Sequence, residues 1–121
     1  MKKKILIVDD DPDIRLVLER QLKKEGYETV SASDGDSGLE AVRRENPNLI
    51  ILDLMLPKMT GYKVCESIKS SDKYKKIPVI MFTGKEEFMA EELGKSFGAD
   101  IYLKKTLNQD EVISAAKKLL E

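Results

Sequence analysis

LIILDLMLP, residues 49–57, is the stretch that decides the fold. Four apolar residues, Leu49 to Leu52, run into one carboxylate, Asp53, and then into a turn-prone segment that ends at Pro57. A short unbroken apolar run reads as a strand buried on both faces, as in a parallel sheet. In open parallel sheets the ligand crevice lies just beyond the carboxyl ends of the strands. Asp53 therefore stands where chemistry can occur, at an edge that spares its charge full burial.

The same pattern recurs on either side. Upstream, KILIV (4–8) is a second buried run, ending at Asp9, Asp10 and Asp11. Pro12 suits a first helical turn with Asp11 as N-cap, and Ile14, Val17, Leu18 and Leu22 then form one apolar face of a helix that Gly26 ends. YETVSA (27–32) is a strand, Asp34 and Gly35 turn into a shorter helix carrying Leu39 and Val42, and that helix stops before Pro47. Downstream, Thr60 caps a helix with Val64, Cys65 and Ile68 as its stripe, and a polar loop (70–76) leads to the strand PVIMFT (78–83). A helix with Phe88, Met89, Leu93 and Phe97 closes at Gly98 and is followed by the strand IYLK (101–104). Asn108 and Glu111 have capping-box spacing for a last helix that buries Val112, Ile113, Ala116, Leu119 and Leu120.

Five strands alternating with five helices, without linker or repeat, predict one α/β domain over residues 1–121. The expected architecture is a doubly wound five-stranded parallel sheet with right-handed crossovers. The first, third and fourth strands are the most apolar and belong in the middle; the amphipathic second and fifth belong at the edges. The strand order is then 2-1-3-4-5, a flavodoxin-like three-layer sandwich whose switch point lies between strands one and three. Asp9, Asp10 and Asp53 end those two strands, so the carboxylates converge.

Composition narrows the function. Lysines and arginines number 21 against 22 acidic residues, a formal net charge of -1, so no general attraction to nucleic acid or membrane is expected. The single cysteine, Cys65, suits a reducing, cytoplasmic setting, and no apolar stretch has the length of a membrane span. The chain has no histidine, which excludes Ser-His-Asp and Cys-His catalysis, His-ligated zinc and a phosphohistidine carrier.

Three converging carboxylates repel and push at least one pKa upward unless a cation neutralises them. Oxygen-only ligation selects a hard ion, Mg2+ before Ca2+ or Mn2+, and Mg2+ leaves coordination positions for a phosphate oxygen. Thr83, at the end of the fourth strand, offers a hydroxyl beside the small Gly84, and Lys104 and Lys105 end the fifth strand with ammonium groups. Nucleophile, metal ligands, hydroxyl and cation together suit phosphoryl transfer, which depends on positioning and charge stabilisation. No glycine-rich phosphate loop follows the first strand. A haloacid-dehalogenase-type phosphatase would want a second Asp two residues after the nucleophile, where this chain has Met55.

The segments ILIVDDDP, LIILDLMLPKMTGYKV, IPVIMFTG and GADIYLKK, in this order and spacing, make the chain resemble the receiver domain of bacterial two-component response regulators over its whole length. The resemblance implies that Asp53 accepts a phosphoryl group from a sensor histidine kinase or histidine phosphotransfer protein. Mg2+ would be the required metal, with Mn2+ as an alternative. It makes Asp10 the direct metal carboxylate, Asp9 a ligand mainly through water, and the Met55 backbone carbonyl a further ligand. Thr83 becomes the switch hydroxyl, Tyr102 the aromatic that swings inward with it, and Lys105 the phosphate-binding lysine. Such a domain catalyses only its own phosphorylation and dephosphorylation. Its output passes to a downstream protein or output domain through the fourth helix, fifth strand and fifth helix, a surface including Lys85, Phe88, Met89, Tyr102 and Lys104. A monomer would dimerise there on phosphorylation. The kinase docks near Pro12, Ile14, Arg15 and the Pro57–Lys58 loop. The family usually has proline after the lysine; Thr106 stands there, and a trans bond is expected because a cis bond before a non-proline costs about 2.5–4 kcal/mol. The alternatives are a constitutive protein-binding module that is never phosphorylated and a magnesium-dependent small-molecule phosphatase.

Overall fold

In chain order the elements are β1 (Lys4–Val8), α1 (Pro12–Lys24), β2 (Glu28–Ala32), α2 (Gly35–Glu45), β3 (Leu49–Leu52), α3 (Gly61–Lys69), β4 (Val79–Thr83), β5 (Ile101–Lys104) and the last helix, α4 (Asp110–Leu120). The computed structural model describes residues 2–84, 98–105 and 109–121. The helix expected around Phe88 to Phe97, together with Lys85, Thr106 and Asn108, lies outside the described residues.

All strand pairings are parallel and the order is β2-β1-β3-β4-β5, as the apolarity of the runs predicts. β3 and β4 are buried along their length, whereas β2 and β5 are partly exposed edges. Side chains alternate between two cores, because successive residues of a strand point to opposite faces. Leu6, Val8, Ile50, Leu52, Val79 and Met81 pack against Ala41, Val42, Val64, Cys65 and Ile68 of α2 and α3. Ile5, Ile7, Leu49, Ile51, Ile80 and Phe82 pack against Leu18, Leu22, Val112, Ala116 and Leu120 of α1 and α4. The result is the expected three-layer sandwich.

Helix ends follow their local chemistry. The Asp11 carboxylate accepts from the Asp13 amide at 2.9 Å and starts α1. Gly26, with φ of +96°, ends it by donating its amide to the Lys23 carbonyl at 3.0 Å. α2 stops one residue short of Pro47 on Asn46, in the left-handed region at φ of +47°. One expectation fails: Val17 is 38% exposed rather than part of the buried stripe. Leu18 and Leu22 alone are fully buried, with Ile14 packed alongside. α1 buries the narrow row at spacing four, and Val17, a third of a turn away, falls on its solvent flank. At the start of α4 the N-cap position is Gln109. No helix among the described residues is long and apolar enough to cross a membrane.

Cys65 is fully buried in the α2–α3 core, and burial pushes its thiol up from 9.0 to about 11. Since only the thiolate reacts, native protein at pH 8 is expected to resist iodoacetamide while urea-unfolded protein is alkylated quickly. Rapid alkylation under native conditions would contradict this packing. The folded state disfavours the thiolate, so the stability held below pH 9 drains away as the pH rises through 9 toward 11.

Candidate functional site

The sheet register assembles the site. Val8 pairs with Leu52, so the residues that follow them, Asp9 and Asp53, leave adjacent strands at the same level. The ladder continues one step past the strands: the Asp53 amide donates to the Val8 carbonyl at 2.9 Å and the Asp9 amide to Ala32 at 3.1 Å. Thr83 pairs with Lys104 on the other side, and the Lys105 amide donates to the Thr83 carbonyl at 2.7 Å. β1, β3, β4 and β5 therefore deliver Asp9, Asp53, Thr83 and Lys105 to one rim.

Asp9 and Asp53 are 2% and 5% exposed, and Thr83 is also buried. Lys105 Nζ lies between the two carboxylates, 2.6 Å from Asp9 Oδ2 and 3.0 Å from Asp53 Oδ2. The other oxygen of each carboxylate is held by backbone: the Asp11 amide donates to Asp9 Oδ1 at 2.9 Å and the Met55 amide to Asp53 Oδ1 at 3.2 Å. Burial pushes the Asp9 carboxyl above its ordinary range, and the hydrogen bonds from Lys105 and Asp11 only partly offset this. Burial works against the Lys105 ammonium too, but its bonds to Asp9 and Asp53 outweigh that and hold its pKa above an ordinary lysine's.

One carboxylate oxygen each from Asp9, Asp10 and Asp53 lies within 4.8 Å of the others, with Asp10 exposed to solvent. A single ammonium against three carboxylates leaves negative charge uncompensated. The donors are all hard oxygens, and the exposed Asp10 leaves one side open to water. This set fits a hard divalent cation that retains part of its hydration shell. Met55 presents its side chain outward at 55% exposure, so that at this position only the backbone faces the acidic group. Tyr102 is half-buried, packed against the α2–α3 core on the same strand as Lys104.

Two further residues shape the rim. Gly61, the first residue of α3, donates its amide to the Leu54 carbonyl at 2.8 Å. A Cβ there would overlap the Asp53 carbonyl oxygen and lie 2.7 Å from Leu54 Cα, so only glycine lets α3 approach the end of β3 this closely. Between them, Lys58 has φ of +68° and the Met59 amide donates to the Pro57 carbonyl at 2.7 Å, a tight three-residue turn that reverses the chain. On α1, Arg15 Nη1 donates to the Asp9 carbonyl at 2.7 Å.

The description "Response regulator receiver domain" matches residues 5–117. The chain belongs to that family. It is 39% identical over 120 residues to the alkaline phosphatase synthesis transcriptional regulatory protein PhoP of Bacillus subtilis, covering 99% of this chain and 49% of PhoP. A putative response regulator from Chloroflexus aurantiacus superposes with a TM-score of 0.93 at 31% identity, covering 99% of this chain and 98% of that one. TrrA of Thermotoga maritima, solved in complex with Mg2+-BeF, superposes with a TM-score of 0.86 at 35% identity, covering 97% of this chain and 98% of that one. The receiver spans about half the length of the first curated relatives it matches.

Asp9, Asp10, Asp53, Met55, Thr83 and Lys105 lie at or beside this rim, whereas Tyr102 sits further back on β5, paired with Met81 and packed against the core. Lys105, which the resemblance makes the phosphate-binding lysine, here bridges the Asp9 and Asp53 carboxylates. Gly61 and Arg15 were named only within a motif and as docking surface. A glycine at the first helical turn, where better helix formers abound, is the signal that marks Gly61; no local signal marks the hydrogen bond of Arg15.

Proposed function

We propose that Asp53 is the phosphoacceptor of this receiver and that the acidic group holds the Mg2+ the reaction requires. The observation that carries the reading is Lys105 Nζ between Asp9 and Asp53, a buried acidic pair sharing one counter-charge. Asp10 would bind the cation directly, Asp9 mainly through water, with an Asp53 oxygen and the Met55 carbonyl beside them; Mn2+ is an alternative occupant. When bound, the cation neutralises the acidic group and offsets charge on phosphoryl oxygens.

An Asp53 carboxylate oxygen attacks phosphorus in line. The new O–P bond forms as the bond from phosphorus to the donor's imidazole nitrogen breaks, and the imidazole leaves with that electron pair. Lys105 moves from Asp9 to a phosphoryl oxygen, and the Thr83 hydroxyl donates to another. Because the Lys105 amide is tied to the Thr83 carbonyl, the two shift together, and Tyr102, two residues before Lys104, follows. That displacement biases the surface around β5 and α4, the region proposed for docking to an output domain or for dimerisation. The domain catalyses only the gain and loss of its own phosphoryl group. The phosphodonor is a histidine kinase or phosphotransfer protein docking across the start of α1. Leu16 and Val17 expose apolar surface there, 48% and 38%, which suits a protein partner. The buried thiol of the single cysteine, Cys65, suits a reducing cytoplasm.

Intact mass after incubation with acetyl phosphate and Mg2+ tests the reading. The expected gain is one phosphoryl group, lost on chelation of the metal and absent in Asp53→Ala. Labelling that persists in Asp53→Ala would place the acceptor elsewhere. No labelling of the unaltered protein would favour the constitutive binding module.

A further inference from the structure

The Asp9 backbone and carboxylate are held at every polar group: its amide by Ala32, one carboxylate oxygen by the Asp11 amide, the other by Lys105, and its carbonyl by Arg15. Asp10 differs. Its carboxylate is exposed and accepts no hydrogen bond among the described residues, yet it stands within 4.8 Å of the Asp9 and Asp53 oxygens. What orients it is its backbone, and the carbonyl of the Asp9–Asp10 peptide is the one Arg15 grips at 2.7 Å from the first turns of α1. Arg15 is half-buried, so its guanidinium is held against the loop rather than extended into water. That bond, made from a rigid helix, restrains the peptide, and with it the direction in which Asp10 leaves the chain.

We infer that Arg15 is a positioning residue for cation binding: it aims Asp10 at the site by clamping the Asp9–Asp10 peptide. The inference rests on the proposed cation site and assigns Arg15 a role distinct from docking. It carries an unusual sign. Arg15 is a positive charge close to an acidic site, so Coulomb repulsion alone makes its removal strengthen cation binding. Positioning makes its removal weaken it. Groups that orient metal ligands typically contribute about 10–100-fold in affinity, and for an ion that keeps most of its water the lower end, about tenfold, is expected.

Calorimetric titration of the full chain with MgCl2 decides between them, using the unaltered protein, Arg15→Met and Arg15→Lys. The expected result is about tenfold weaker binding in Arg15→Met and an intermediate affinity in Arg15→Lys, which keeps the charge but reaches the Asp9 carbonyl less well with its shorter side chain. Tighter or unchanged binding in Arg15→Met would overturn the inference. Should Arg15→Met fail to fold, Arg15→Lys alone decides: weaker binding at conserved charge supports positioning, and unaltered affinity overturns it. A lack of Mg2+ binding by the unaltered protein would instead sink the site reading, a separate outcome.

Discussion

Lys105→Met is expected to cost about 2–3 kcal/mol of stability in metal-free buffer at neutral pH, and most of that loss should return on adding Mg2+ or acid. Removing one partner of a buried ion pair typically costs about 3–5 kcal/mol because the other charge is left uncompensated; the partial exposure of Lys105 itself reduces the figure. Here two carboxylates share the lost ammonium, and Asp9 and Asp53 would face each other with only backbone donors. At the proposed cation site Mg2+ and the ammonium would draw on the same two carboxylates, so the variant should also bind the cation more tightly than the unaltered protein. The pH dependence has a definite sign. Burial already raises the Asp9 carboxyl above 3.8, so the folded state takes up a proton before the unfolded chain does. Without Lys105 the deficit therefore closes as the pH falls through that raised value and is gone by 3.8. Urea unfolding at neutral and acidic pH, with and without Mg2+, reads all of this. A variant as stable as the parent without metal would show that the bridge contributes nothing.

Gly61→Ala should destabilise the fold by about 2–4 kcal/mol, more than a typical small-to-large change, because the obstructing atoms are backbone. The added methyl would run into the Asp53 carbonyl and Leu54 Cα, and neither can rotate away. α3 must move off the end of β3, breaking the bond from Gly61 to Leu54 and disturbing the turn that places Asp53. Two readouts should fall together: the urea midpoint and the rate of phosphoryl incorporation from acetyl phosphate. Gly26→Ala is the control. It also has positive φ, but nothing lies within 4 Å of its Cβ position, so it reports backbone strain alone, about 1 kcal/mol or slightly more. Equal effects at the two sites would refute the close-approach argument.

Which strands form, which are central and where the acidic ends meet were legible in the chain itself. Unbroken apolar runs at 5–8, 49–52 and 79–82 can only be satisfied by burial on two faces, and strand order follows from that demand. The meeting of Asp9, Asp53 and Thr83 at one rim was legible too, since each directly follows or ends such a run; Asp10 stands one residue further on, and Lys105 just past the edge strand. Helix caps at Asp11 and Thr60 were readable because capping is local chemistry. The face of α1 was misread at Val17, since the width of a buried stripe depends on what packs beside it. Only the tertiary structure decided that Lys105 spans Asp9 and Asp53, that Arg15 holds the Asp9 carbonyl, and that Gly61 must lack a side chain. Each of these joins groups from different elements at separations of a few ångströms. A residue's type and neighbours in sequence state what it can bond, but register, crossover and helix packing determine what comes within reach.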